Sequence, residues 1–180
     1  MRNIRWFIIA LAVQILLVIT VPLPRLYVLL AGKTVLLETL PADPYDIFSG
    51  YYAQLGYKIS DIDELPFPPD MKRENHYDWW RTAVDVYVVL APDEEGIWQP
   101  KRVQKSLPRH LGANEAVIKG RYNWRVEYGI ERYYLPESQR KLWDKMMRDR
   151  ENRPVVEAKV DKRGNAAIVR IKVGGKIFKY

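Results

Sequence analysis

The sequence predicts an α+β protein: a mainly antiparallel β barrel or sandwich-like domain with one late helix, preceded by a single transmembrane helix. Three observations carry this reading. An apolar run near the start is long enough to cross a bilayer. Most of the chain after it alternates polar and apolar residues with period two, and one late stretch switches to helical spacing. The expected organisation is an anchor over residues 1–25 and a β-rich domain over residues 26–180.

The anchor is the stretch "RWFIIALAVQILLVITVPLPR". Between Arg5 and Arg25 lie 19 uncharged residues, with Gln14 and Thr20 the only polar ones. As a helix this is about 28 Å long, close to the thickness of a hydrocarbon core. A helix also pairs its own backbone polar groups, as lipid demands. Pro22 and Pro24 lie at the far end, where the helix is expected to stop. A cleaved signal peptide would need small residues at its cleavage site, and "LLAGK" has Leu29 in the way. Residues 6–24 are therefore expected to contact membrane lipid. Arg2 and Arg5 make the N-terminal flank the more basic one, which predicts a cytoplasmic N-terminus and an extracytoplasmic domain.

Period-two reading organises the rest. "KTVLLETL" is a short strand. "SGYYAQLGYKIS" puts Tyr51, Ala53, Leu55, Tyr57 and Ile59 on one face and Tyr52, Gln54, Gly56, Lys58 and Ser60 on the other, as a half-buried strand would. "DIDELPFPPDMKRENHYD" reads as a long loop, and such loops are often functional covers. "TAVDVYVVLA" is apolar on both faces except Asp85, as in a central strand. "IWQPKRVQ" is its hairpin partner, and Pro100 places it at an edge or a bulge.

From Ala116 to Glu131 the even positions run Ala116, Ile118, Gly120, Tyr122, Trp124, Val126, Tyr128 and Ile130, facing inward. This is one bent strand or two joined by a tight turn near Tyr122 and Asn123. "PESQRKLWDKMMRDREN" is the helix, with Pro136 in its first turn and Leu142, Trp143, Met146 and Met147 as its apolar stripe. A closing hairpin turns at "KRGN", with Ala167, Val169, Ile171 and Val173 inward. The pattern accommodates about six to nine strands.

Composition removes several function classes. The chain has 180 residues, 48% of them hydrophobic, and six tryptophans, enough for one packed domain plus an appendage. With no cysteine there is no disulfide, thiolate zinc site or cysteine nucleophile. The net charge of +7 is dispersed: outside the anchor, basic residues barely outnumber the 22 acidic ones. That argues against a nucleic-acid partner, which needs a concentrated basic face.

The stretch "GYYAQLGY", Gly50 to Tyr57, resembles the signature that names the GDYXXLXY family, with Gly50, Tyr52, Leu55 and Tyr57 matching and Tyr51 standing where the family has aspartate. "PADPYDIFSG" is similar to its lead-in, "YGIERYYLPE" to its second recurring block, and "VEAKVDKRGNAAIVRIKVGGKIF" to its closing hairpin. The resemblance implies a bacterial protein anchored by one N-terminal segment, in an inner or thylakoid membrane. It also implies a partner among polytopic membrane proteins. Were the family aspartate an obligatory ligand or acid, Tyr51 would abolish that step.

Candidate binding residues are Gly50, Tyr52, Tyr57, Trp79, Trp80, Glu131, Arg132 and Glu137. Gly50 suits a close approach at a strand entry. Tyr57 suits the core with its hydroxyl satisfied, while Tyr52, on the opposite face, suits a surface contact. Glu131 and Arg132 suit an ion pair that fixes the strand-to-helix corner, with Glu137 a further carboxylate at the helix start. Of the adjacent Trp79 and Trp80, one must face outward from an extended segment, toward a membrane or a partner.

No catalytic residue stands out. Ser49 lacks a nucleophile motif around it. His76 with Asp78, and the lone His110, supply too few ligands for a metal. No metal and no cofactor is expected. The expected function is a non-enzymatic accessory module that binds or stabilises another membrane protein. The alternative is a membrane-bound hydrolase or small-ligand-binding protein with its site near Gly50 and Tyr52.

Overall fold

Period-two patterning becomes eleven short antiparallel strands among the residues that the computed structural model describes, namely 2–40, 52–65, 83–148 and 154–179. They form three sheets. In the first the order is β11 (Lys176–Phe178), β10 (Ala166–Val173), β9 (Val155–Val160), β1 (Lys33–Leu40) and β3 (Gly56–Tyr57). In the second it is β5 (Trp98–Gln104), β4 (Val84–Pro92), β6 (Ala116–Asn123) and β7 (Arg125–Glu127). The third pairs β2 (Tyr52–Gln54) with β8 (Arg132–Tyr134). The sheets stay open and enclose a shared core in a sandwich-like arrangement, so of the two expected architectures the barrel is not the one formed.

Alternation explains the core. β1 buries Val35, Leu37 and Thr39, and β9 buries Val156, Ala158 and Val160. From the second sheet come Val86, Val88, Leu90, Val103, Ile118 and Val126. β4 is central, as its apolar faces predict, and buries Val89 as well. Thr39 is a buried polar exception whose hydroxyl donates to the Pro154 carbonyl at 2.9 Å. The sheets meet where β1 lies against β5 and where the Lys119 N–H donates to the Gly164 carbonyl at 2.8 Å.

Two hairpins share one turn chemistry. Asp93 and Asp161 each open a turn in which a carboxylate oxygen accepts backbone N–H groups two and four residues on. Gly96 and Gly164 then donate back to the aspartate carbonyls. The aspartate fixes the turn from within, as short acceptor side chains do.

Several expectations are corrected by the register. The stretch from Tyr52 to Ser60 is not one strand: β2 and β3 are separated at Leu55, and a 3₁₀ turn follows over Lys58–Ser60. Its face assignment nonetheless survives, since Ala53, Leu55, Tyr57 and Ile59 are all buried. Such interruptions raise the strand count above the expected range. Pro100 gives both an edge strand and a register shift, opposite Leu90.

The long alternation from Ala116 is two strands, and the turn residue is Trp124, one position beyond the expected pair. Trp124 therefore faces outward, 65% exposed, against the inward place that its even number predicted. Gly120 permits the fold-back: a Cβ there would sit 2.3 Å from the Val126 side chain and 3.0 Å from the Glu127 carbonyl oxygen. In the closing hairpin a bulge leaves Val169 as the extra residue, so Ile168 takes the buried position expected for Val169.

α3 (Glu137–Arg148) follows Pro136 as expected. Its Trp143 stacks on Tyr133 with ring centroids 6.2 Å apart and meets Phe178 edge-on at 5.2 Å. Met146 is buried and Leu142 half-buried, whereas the Met147 side chain lies outside the described residues.

The apolar helix α1 (Arg2–Thr20) stops at the prolines as expected, but the apolar segment does not end there. After a break at Val21–Pro22 the chain resumes as α2 (Leu23–Ala31), with Pro24 in the first turn where no N–H is needed. Together Ile4–Ala31 form one segment long and apolar enough to cross a membrane, with the described side chains of its first part, Ile4 to Tyr27, exposed. α2 lies against β9 and β10 and buries Val28. Gly32 lets its end touch the sheet: a Cβ there would be 3.0 Å from the Val160 nitrogen and 2.4 Å from the Val28 carbonyl oxygen.

Candidate functional site

The two family-like blocks, distant in sequence, are brought together and interlocked. Tyr52, Ala53 and Gln54 pair with Tyr134, Tyr133 and Arg132. Just past that pairing the Leu55 N–H donates to the Glu131 carbonyl at 2.7 Å. The chain then crosses into the first sheet, where Tyr57 pairs with Thr39 and is almost fully buried. Its hydroxyl donates to the Ile130 carbonyl at 2.7 Å. In return the Tyr128 hydroxyl donates to the Ile59 carbonyl at 2.6 Å.

Each tyrosine thus satisfies a carbonyl of the opposite block, at a bend where no regular ladder is available to do so. Burial chiefly, with the Glu131 charge adding to it, raises the Tyr128 hydroxyl well above the ordinary phenol range. It remains a donor. The Glu131 carboxylate accepts the Tyr128 backbone N–H and closes the turn through Gly129.

Beside this clasp lies a cleft of about 450 Å³. Pro24, Arg25 and Val28 of α2 form one wall, Gly129 and Ile130 of the turn a second, and Ala166, Ala167 and Ile168 of β10 a third. Arg132 and Tyr134 reach it from β8, and Asn165 from the closing hairpin. Among the described residues, its charged lining is the two guanidinium groups of Arg25 and Arg132.

The expected site residues divide accordingly. Tyr57 is the core residue that its face predicted. Tyr52 lies in β2, one strand from the cleft, through its pairing with Tyr134. Arg132 lines the cleft, and Glu131 is occupied in the turn by the Tyr128 N–H. Glu137 stands exposed in the first turn of α3, where a carboxylate suits the helix dipole. Gly50, Trp79 and Trp80, with Ser49, Tyr51 and His76, lie outside the described residues. His110 is exposed, and no group of three metal-ligating side chains occurs among the described residues.

Arg25, Tyr134 and Asn165 were not legible as site residues. Arg25 reads in sequence only as the charge that ends an apolar run, and what gives it a site is the packing of α2 on β10. A second unanticipated network ties the loop before β6 to the sheet. Arg102 forms two hydrogen bonds of 2.8 Å with the Glu115 carboxylate, which also accepts the Gly112 N–H at 2.9 Å. Those bonds, with Arg102 the larger influence, hold the Glu115 carboxyl down at about 2. Lys33 reaches the same loop through the Ala113 carbonyl at 2.8 Å and lies over the Trp98 ring.

The fold and its clasp define a β-rich domain carried on an apolar N-terminal helix long enough to cross a membrane. The chain belongs to the GDYXXLXY protein family, whose model matches residues 14–171, from within α1 to β10. No curated protein and no solved structure matches it.

Proposed function

We propose that the protein is a non-enzymatic module, held at a membrane by its N-terminal helix, that binds or stabilises another membrane protein. Trp124 carries the reading. It is a bulky residue with a φ of 66°, a backbone region that costs such residues energy, and it stands 65% exposed at a hairpin tip. An exposed tryptophan of this kind suits an anchor in a partner's pocket. The tether supports the same reading, because confinement to a membrane raises the effective concentration for a membrane-borne partner. In this proposal the N-terminus is cytoplasmic and the domain lies on the other side, following the arginine bias at the anchor.

A photo-crosslinking amino acid at position 124, in the native membranes, tests this. A polytopic membrane protein should be captured from position 124 and not from exposed Glu94. If the chain stays in the membrane and position 124 captures nothing, the reading fails. A second reading, a small-ligand-binding protein with its site near Tyr52, is favoured by the cleft, whose Tyr134 pairs with Tyr52.

A further inference from the structure

We propose that the loop between β5 and β6, residues 105–111, is a second membrane contact. Leu107 and Leu111 enter the bilayer interface, while Lys105 and Arg109 meet anionic lipid headgroups. The proposal rests on the membrane placement of the apolar segment in the reading above, and it needs no protein partner.

The first observation is the make-up of the loop. Residues 105–114 read "KSLPRHLGAN", with Lys105, Arg109 and His110 and no carboxylate. All three basic residues are exposed, as are Leu107 at 41% and Leu111 at 37%. Beyond the apolar segment, the two leucines are among six exposed large apolar side chains of the described residues. Leucines beside basic groups suit a bilayer surface, which offers acyl carbon to the one and anionic headgroups to the other. A soluble anion has no use for the leucines.

The second is a fixed position. Lys33 is the second residue after the apolar segment, which ends at Ala31. Its ammonium group donates to the Ala113 carbonyl at 2.8 Å and to the Glu115 carbonyl at 3.2 Å, and lies 5.1 Å from the centre of the Trp98 ring. Arg102 holds the Glu115 carboxylate, which takes the Gly112 N–H, and the Glu115 N–H donates to the Gly112 carbonyl at 3.0 Å. Residues 112–115 are thereby bolted to the point where the chain leaves the apolar segment. Leu111 adjoins that turn, and Leu107, four residues away, lies within about 14 Å of Leu111.

The third is length. As helix, the 28 residues of Ile4–Ala31 measure about 42 Å. That matches a bilayer with its headgroup layers, about 40–45 Å, rather than the hydrocarbon alone. Arg2 and Arg5 then stand at one face and Lys33 at the other, so the loop that Lys33 holds is at headgroup level. The neighbouring turn between β4 and β5 carries Asp93, Glu94 and Glu95, which anionic headgroups repel. The contact is therefore confined to the loop.

Because the chain has no cysteine, a single label can be placed cleanly. Full-length protein carrying Leu107→Cys or Leu111→Cys, labelled with an environment-sensitive fluorophore, is inserted into vesicles of phosphatidylcholine with or without an equal share of phosphatidylglycerol. Nitroxide-bearing lipid supplies the quencher. Both labels should be quenched in the mixed vesicles. Lys105→Gln and Arg109→Gln should each cut the ratio of docked to undocked loop about fivefold, the effect of one basic residue near an anionic surface. Phosphatidylcholine alone should reduce quenching at least as much as either substitution.

A label at position 16 (Leu16→Cys), inside α1, reports the membrane placement itself, and one at position 94 (Glu94→Cys) reports the acidic turn. Quenching at 16 but not at 107 and 111 overturns the loop contact and leaves the placement standing. No quenching at 16 overturns both. Equal quenching at 94 and 111, or quenching at 107 and 111 that ignores phosphatidylglycerol and both basic substitutions, also overturns the proposal.

Discussion

The Tyr57 hydroxyl donates to the Ile130 carbonyl, and two residues from that carbonyl Tyr128 donates back to Ile59, two residues beyond Tyr57. Tyr57→Phe and Tyr128→Phe each leave a buried carbonyl without its donor, at a cost of about 1–3 kcal/mol. The two bonds hold one seam, so the double variant should cost less than the sum of the singles. Denaturant melts of the four proteins give the coupling. Strict additivity would show that the bonds act independently.

Gly120→Ala should be among the most damaging single-methyl additions in the domain. The new Cβ would collide with Val126 and with the Glu127 carbonyl, and the backbone atom cannot swing away. Overpacking of this kind costs about 1–3 kcal/mol or more. Gly96→Ala meets no neighbour and differs only in backbone strain, so it should melt at a higher temperature than Gly120→Ala.

Acid should loosen the loop before β6. The Glu115 carboxyl lies at about 2 in the folded chain against an ordinary 4.5. Its folded value is depressed, so its contribution is present above the ordinary value and fades as pH falls toward 2. Partial exposure of Arg102 screens the pair, leaving about 1 kcal/mol. Glu115→Gln should lower stability at neutral pH by that amount and flatten the acid limb of a stability-against-pH curve. An unchanged acid limb would contradict the assignment.

Trp124→Asn should stabilise the isolated protein, because asparagine tolerates a positive φ far better than tryptophan. The gain expected is about 1 kcal/mol, read as a higher melting temperature. Co-purification of the membrane partner should be lost in the same variant. A stabilised variant that keeps its partners would separate the hairpin tip from function.

Elements that keep their period without interruption were legible in the sequence: β1 and β9 alternate, β4 is apolar on both faces, and Leu142, Trp143 and Met146 follow the helical stripe of α3. What was not legible arises where the backbone departs from its period. One extra residue at Val169 moves Ile168 inward, and Leu55 breaks a strand without disturbing which side chains face the core. Trp124 has the period of a buried residue but occupies a turn. Tyr57 was recognisable as a buried hydroxyl, while its partner at Ile130 follows from topology alone. The cleft was invisible for the same reason, since α2, β8 and β10 meet only in the folded chain.

The contact of Gly32 with β9 has a mechanical consequence. With α2 seated on the sheet through Val28 and no spacer between them, the β-rich body lacks a swivel where it joins the apolar segment. Bending is left to the break at Val21–Pro22, inside the apolar segment. In the proposed membrane placement, any lipid change that tilts the last turns of that segment steers the whole body with it, like a rudder fixed to its post.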